Sequence, residues 1–377
     1  MNTNLTNVKT VVVKIGTSLL SGERGFDGRI VEEIVKDLSA LKRERDLNIL
    51  MVSSGAMGCG MDILGMKERP RLLPLKQATA AVGQSRLMHY YETLFLVYGD
   101  GLKTAQILLS PPDLDDRRSY LNVRNTIRTL FDLGSVIPIV NENDPVSTDE
   151  LKFGDNDTLA ARIASKIDAD LLIILSNIDG LYDSDPTQHP GAKLIEHVEA
   201  VTPELELLAD DTLTETTIGG MKTKLEAAKI ACASGLPMAI ANGRKDHIVR
   251  RVLDGEDKCT MFGCSSAILP HRKRWIAFGR AARGAIEVDE GCRRALVRGG
   301  SSLLPAGVTK VSDQFDMGAA VRIVDPQGRE IGCGLVNYSS DEIRRIQGCN
   351  TKDIQAILGR KDFDEIIHRD NLVLLGQ

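Results

Sequence analysis

The stretch VIPIVNENDPVSTDELKFGDND, from Val136 to Asp157, decides how the rest of the chain is read. Its first five residues form a short apolar run, the mark of a buried strand. The residues that follow are crowded with carboxylates and amides. Asn156 or Asp157 is then placed to cap an apolar-periodic helix beginning near Thr158. Polar groups gathered just past the carboxyl end of a strand are where open α/β sheets hold ligands. The competing reading is a solvated acidic loop with a good helix cap.

Composition bounds the choices. A chain of 377 residues suggests two domains, or one large and one small. Its 42% hydrophobic content is enough for a sizeable core, and its net charge of -5 argues against bulk electrostatic binding to nucleic acid. The 7 cysteines include no Cys-x-x-Cys pair and read as reduced, mostly buried thiols of a cytosolic protein. The 6 histidines show no metal-ligand spacing, so no metal ligand is assigned. Met1 to Lys9 is polar and lacks the apolar core of a secretion signal. No apolar run approaches the roughly 20 residues that a bilayer span needs. These features predict a cytoplasmic protein.

Outward from the opening stretch, strand and helix patterns alternate from residue 10 to about residue 255. Thr10 to Ile15, Asn48 to Val52, Lys103 to Leu109, Asp170 to Leu175 and Pro237 to Ala241 read as strands. Ile30 to Leu41, Gln77 to Tyr98, Tyr120 to Leu133 and Leu225 to Ser234 read as helices. The alternation predicts an α/β fold with a mostly parallel sheet covered on both faces. Several strands empty into ligand-type loops. Lys14 ends the first strand beside Gly16, Thr17 and Ser18, where an ammonium group and close backbone approach suit a phosphate. The bland reading of Lys14 is a stem packed on the sheet with its amine in water. Ser53 to Gly60 is a glycine-rich turn that would bring backbone against a ligand. The Ala78, Ala80, Ala81 and Gly83 face of the long helix suits close packing or a subunit contact. Thr217 to Lys224 places a glycine pair and two lysines at a helix N-terminus, where free N–H groups and the dipole favour an anion.

After Pro270 the texture changes. His271 to Trp275 is a basic run suited to a linker. Short alternating segments follow at Gly284 to Val288, Ser301 to Leu304, Gly307 to Val311, Ala319 to Val324 and Gly332 to Tyr338, with Asp325 to Gly328 as a turn. The expected division is a first domain over 1–265, a linker over 266–276, a small β-rich domain over 277–360 and a tail over 361–377.

Together the motifs resemble the glutamate 5-kinase family, amino acid kinases that carry a C-terminal PUA domain. The likeness rests on VVKIGTS at Val12 to Ser18, VSSGA at Val52 to Ala56, AVGQSRL at Ala81 to Leu87 and NEND at Asn141 to Asp144. GDND at Gly154 to Asp157, DGLY at Asp179 to Tyr182 and GGMKTK at Gly219 to Lys224 complete it. RGGSSLLP at Arg298 to Pro305 is similar to the PUA domain. Each piece is weak alone, but their order and combination are specific.

The resemblance implies an amino acid kinase three-layer sandwich followed by a PUA-like domain. The activity it implies is phosphorylation of the L-glutamate side chain by ATP with Mg²⁺, the first step of proline biosynthesis. It implies that Lys14 and Lys224 neutralise the transferring phosphoryl group while Asp157 holds both lysines. Ser54, Asp144 and Asn156 would bind glutamate. Lys14, Gly16, Ser176, Asn177, Ile218, Gly219, Gly220, Met221, Lys222, Thr223 and Lys224 would line the ATP site. Many relatives carry an aspartate at the position of Asn177, so an ionic role is not carried over there. The resemblance further implies a homo-oligomer, proline as feedback inhibitor and hand-over to glutamyl phosphate reductase. RNA and membranes are not expected partners. A different amino acid kinase, acting on UMP, aspartate or acetylglutamate, and an RNA-binding protein are the alternatives. A carboxylate acceptor is already ionised at neutral pH, so the chemistry demands alignment and charge neutralisation rather than a general base.

Overall fold

A computed structural model describes residues 5, 7–22, 25–26, 28–146, 156–184, 186, 189, 191–203, 205–206, 220–263, 282 and 284–374. Residues 147–155 of the opening stretch and the expected linker over 266–276 lie outside these. The chain divides into two compact units, Met1–Ile268 and Leu269–Gln377.

The first unit begins with β1 (Thr10–Ile15), α1 (Thr17–Leu20) and a small hairpin of β2 (Ser21–Gly22) and β3 (Gly25–Phe26). α2 (Gly28–Arg45), β4 (Asn48–Ser53), α3 (Ala56–Ile63), α4 (Leu73–Tyr98) and β5 (Lys103–Leu109) follow. Next come α5 (Pro111–Asp115), α6 (Arg117–Asp132), β6 (Val136–Glu142), α7 (Asn156–Lys166) and β7 (Leu171–Ser176). β8 (His197–Val198), a helix over Met221–Ala233, β9 (Met238–Asn242), a helix over Ile248–Leu253 and β10 (Thr260–Phe262) close the unit.

Among the described residues the large sheet has the order β5-β6-β4-β1-β7-β9-β10-β8. The run from β5 to β9 is parallel throughout. β10 runs antiparallel to β9 and pairs in parallel with β8. The chain leaves β1 toward β4, β6 and β5, then crosses to β7 on the other side. That reversal beside β1 is the topological switch point at which such sheets open a crevice.

Side-chain alternation splits the core into two layers. Val11, Val13 and Ile15 join Met51, Ile139 and Ile173 under α2, α4 and the Ile248–Leu253 helix. Val12, Leu50, Val140 and Ile174 join the opposite cluster under α6, α7 and the Met221–Ala233 helix. α2 buries Val31, Ile34, Val35, Leu38 and Leu41, a helical-period stripe that faces the sheet. The three-layer sandwich is therefore a consequence of strands apolar on both faces.

Two expectations are corrected. The glycine-rich turn after β4 is helical from Ala56, and Gly60 within it serves packing: a Cβ on Gly60 would stand 1.9 Å from the Thr79 carbonyl, and one on Gly83 of α4 would stand 1.8 Å from the Ala56 carbonyl. The tail set apart over 361–377 is not a separate piece, because its strand Leu372–Leu374 belongs to the sheet of the second unit.

That second sheet has the order β12-β11-β13-β14-β15, built from β11 (Ala285–Val288), β12 (Val308–Ser312), β13 (Ala320–Val324), β14 (Glu330–Leu335) and β15 (Leu372–Leu374). The expected strand at Ser301 to Leu304 is reduced to one bridge, Leu303 with Ile367. Helices over Glu290–Gly299, Ser340–Ile346 and Ile354–Leu358 were not anticipated. The turn from Asp325 holds: Gly328 has φ 78 and donates its N–H to the Asp325 carbonyl at 2.9 Å.

The backbone contact at Gly83 gives a direct test. Gly83→Ala must separate α3 from α4, and overpacking of this kind costs about 1–3 kcal/mol. Denaturant unfolding should show that loss, whereas Ala81→Ser, on the exposed face of α4, should change little. Equal stability of Gly83→Ala and the parent would mean that the contact is not tight.

Candidate functional site

Alternation along β1 decides where Lys14 points. Val12 faces the layer of α7 and the Met221–Ala233 helix, so Lys14, two residues on, points to the same layer. These two helices pack on each other. Their buried faces carry Ala160, Ala161 and Ala164 on one side and Ala227, Ala228 and Ala231 on the other. Small side chains let two helix axes approach closely, and their first turns converge beside the end of β1.

Asp157, in the first turn of α7, is fully buried there. Its Oδ1 lies 2.6 Å from Lys14 Nζ, and its Oδ2 lies 3.2 Å from Lys224 Nζ. The Thr223 hydroxyl lies 2.9 Å from Oδ2 and 2.9 Å from the Gly220 carbonyl. Lys14 is 2% exposed and Lys224 5%. Burial alone pushes the Asp157 carboxyl up, but the Lys14 and Lys224 charges and the hydrogen bonds from Lys14 and Thr223 outweigh it and hold the group below the usual carboxylate range. The snorkelling alternative for Lys14 is excluded by this burial.

Asn156, the preceding residue, turns to a different set of partners. Its Nδ2 donates toward Ser54 Oγ at 2.9 Å, Asn141 Oδ1 at 2.9 Å and the Ser53 carbonyl at 3.0 Å. Asn141 Nδ2 in turn donates to Gln84 Oε1 at 2.7 Å, and Asn141 Oδ1 also accepts from the Glu142 N–H at 2.8 Å. Ser53 Oγ lies 2.7 Å from the buried Tyr91 hydroxyl. The cap expected of Asn156 or Asp157 is thus replaced: both sit inside α7, and their side chains build two adjoining clusters.

Of the remaining expected site residues, Gly16, Ser176, Asn177 and Asp144 lie at or just past the carboxyl ends of strands. Gly16 donates its N–H to the Leu175 carbonyl at 3.0 Å, and a Cβ there would stand 2.9 Å from that oxygen. Glycine therefore lets the end of β1 close on β7. Ser176 ends β7 and is buried, whereas Asn177 just beyond is exposed. Gly220 is the N-cap of the Met221–Ala233 helix, with Met221, Lys222, Thr223 and Lys224 in its first turn. Asp144 opens a short turn after β6 and, with Gln84 and Glu142, lines a cleft of about 550 Å³. Ile218 and Gly219 lie outside the described residues.

Some contributors had no signature of their own. Gln84 and Tyr91 sit on α4, which the sequence marked for packing, although Gln84 falls within the AVGQSRL motif. Lys245, outside every motif, lies 2.8 Å from Asp179 Oδ1 and 3.1 Å from Asp257 Oδ1. Asp179 also accepts from Asn242 Nδ2 at 3.3 Å and from the Tyr182 hydroxyl at 3.3 Å. These bonds tie the loop after β7 to the end of β9.

Residues 9–242 match the amino acid kinase family, and residues 284–358 match the PUA domain. A glutamate 5-kinase of Caldanaerobacter subterraneus subsp. tengcongensis is 48% identical over 366 residues, covering 97% of each chain. One from Moorella thermoacetica is 46% identical over 377 residues, covering 99% of this chain and 98% of its own. Among solved structures, a carbamate kinase from Giardia lamblia bound to AMP-PNP aligns with a TM-score of 0.49 at 17% identity, over 69% of this chain and 99% of its own.

The charge cluster predicts a pH signature. A folded-state carboxyl value below the unfolded one adds stability that is complete above about pH 4 and is lost as pH falls through the folded value. Asp157→Asn leaves two buried ammonium groups without their anion, a change of about 3–5 kcal/mol at neutral pH. Urea unfolding of both proteins should show that gap at pH 7 and a narrower one below about pH 4. A gap independent of pH would mean that Asp157 stabilises the fold by shape alone.

Proposed function

The chain belongs to the amino acid kinase family, in its glutamate 5-kinase branch, and from that membership we infer that it transfers the γ-phosphoryl group of ATP to the side-chain carboxylate of L-glutamate. The observation that carries the reading of the site is the buried Lys14–Asp157–Lys224 cluster. Two ammonium groups from separate elements converge there, beside the first turn of a helix whose N–H groups favour an anion of phosphate type.

Each residue then has a task. Lys14 and Lys224 stabilise charge on the phosphoryl group as it passes from donor to acceptor. Asp157 holds both Lys14 and Lys224, and Thr223 holds Asp157, so neither lysine must reorganise during transfer. Gly16, Ser176, Asn177 and the segment from Ile218 to Lys224 line the nucleotide. Ser54, Asn156 and Asp144 bind glutamate, with Asp144 facing its ammonium group. The acceptor carboxylate is ionised at neutral pH, so no base is required. Both Asp157 oxygens already face ammonium groups, which makes Asp157 a holder of lysines rather than a metal ligand. Mg²⁺ bound with the nucleotide would neutralise phosphate charge, held mainly by phosphates and water. Homo-oligomer formation, a cytoplasmic location and hand-over of the acyl phosphate to glutamyl phosphate reductase belong to the same reading and rest on the family likeness.

The test is purified enzyme with ATP and Mg²⁺, trapping the acyl phosphate with hydroxylamine. Hydroxamate should form with L-glutamate and not with aspartate or acetylglutamate, and UMP should not be phosphorylated. Lys14→Ala and Lys224→Ala should each lower kcat on the order of a hundredfold or more while changing the glutamate KM far less. A folded variant with near-normal turnover would remove that lysine from the mechanism.

Proline shares glutamate's ammonium and α-carboxylate groups and is expected to inhibit at the same site. Raising glutamate should relieve that inhibition. Inhibition that ignores the glutamate concentration would put proline elsewhere.

A further inference from the structure

We propose that Gln84 is a positioning residue for glutamate, one of the groups that hold, through Asn141, the Asn156 amide with its oxygen toward the substrate; this rests on the reading of Asn156 as a substrate contact. A side-chain amide can present its oxygen or its NH2 group, and its partners decide which. Gln84 offers Oε1 to Asn141 Nδ2 at 2.7 Å. Asn141 is 3% exposed, so an NH2 group left unpartnered there would carry its full desolvation penalty.

The Glu142 N–H holds the other end, Oδ1, which also accepts from Asn156 Nδ2, so Gln84 and Glu142 together keep Asn141 in one orientation. Asn156 offers its own NH2 group inward. Asn141 Oδ1, Ser54 Oγ and the Ser53 carbonyl converge on that one group, which has only two hydrogens. This end of Asn156 is saturated. Its other end, Oδ1, is buried and has no hydrogen-bond partner among the described residues. A buried acceptor of this kind calls for a donor, and the ammonium group of an amino acid is one.

The donor direction therefore runs one way, from Asn156 through Asn141 to Gln84. Reversing it would turn an NH2 group toward the substrate ammonium, donor against donor. Gln84 also lines the same cleft as Asp144, the carboxylate assigned to that ammonium. The chain of amides does not pass through Lys14, Asp157 or Lys224, so its effect falls on glutamate binding and not on the transfer step.

Gln84→Met keeps the length and helix propensity of the side chain and removes the acceptor, whereas Gln84→Glu keeps an acceptor. Steady-state kinetics should give Gln84→Met a glutamate KM raised about tenfold, the scale of one unsatisfied buried donor. Its kcat and ATP KM should stay at parental values, and Gln84→Glu should restore most of the glutamate KM. Adding Gln84→Met to Asn156→Ala should raise the glutamate KM no further, because residues in one network are not additive. The proposal is overturned if Asn156→Ala raises the glutamate KM and Gln84→Met does not. It is also overturned if Gln84→Met shifts the ATP KM equally, or if Gln84→Glu rescues nothing. A parental glutamate KM in Asn156→Ala would remove the substrate role of Asn156 itself, and the relay with it.

Discussion

Everything at the site depends on one buried carboxylate shared by two buried lysines. Lys14 comes from β1, Lys224 from the Met221–Ala233 helix and Asp157 from α7, so the cluster ties the sheet to two helices that cover it. Buried charges are costly unless paired, and a carboxylate between two ammonium groups is paired on both of its oxygens. The pairing orients both ammonium groups before any ligand arrives. Phosphoryl transfer needs that orientation, since its catalysis lies mainly in positioning and charge neutralisation.

The fold makes the cluster through two plain devices. Period-two alternation on β1 sends Val12 and Lys14 to the same face, so an unbroken apolar strand delivers an ammonium group at its carboxyl end. Alanines on the facing helices then bring the first turns of both within reach of it. Bulkier residues at Ala160 or Ala228 would hold the helices apart and lengthen the distance from Asp157 to Lys224. Core composition and site geometry are here one constraint.

Much of this was legible in the sequence, for identifiable reasons. β1, β4, β6, β7 and β9 are short apolar runs flanked by glycine, serine or amides, and their parallel arrangement followed from the helices between them. The kinase motifs named the lysines and Asp157, Lys14 near the end of such a run and Asp157 and Lys224 in the first turns of helices. α3 was hidden, since AMGCGMDI has the glycine content of a turn, and only the partner backbone at Thr79 and Ala56 shows why glycine is needed. The second unit was read as strands throughout. Its helices over Glu290–Gly299 and Ser340–Ile346 are short and begin at Asp289 and Ser339, caps easily mistaken for turn residues. Gln84 and Lys245 were illegible as contributors because the partner of Gln84, Asn141, lies 57 positions away, and those of Lys245 lie on separate loops.

On the proposed reading of the site, the two consecutive residues Asn156 and Asp157 explain why donor and acceptor meet. Successive side chains in an α-helix diverge by roughly 100 degrees, so neighbours in sequence face different surroundings. Asp157 turns to Lys14 and Lys224, proposed to meet the phosphoryl group, and Asn156 turns to Ser54 and Asn141, on the side proposed for glutamate. A single helical turn thus belongs to both halves of the site, and the distance between the halves is fixed by covalent geometry rather than by the packing of separate loops. Alignment of a carboxylate with a phosphorus atom tolerates little error. Placing both halves on one rigid turn, itself clamped by the buried ion pairs, is the arrangement that best resists such error.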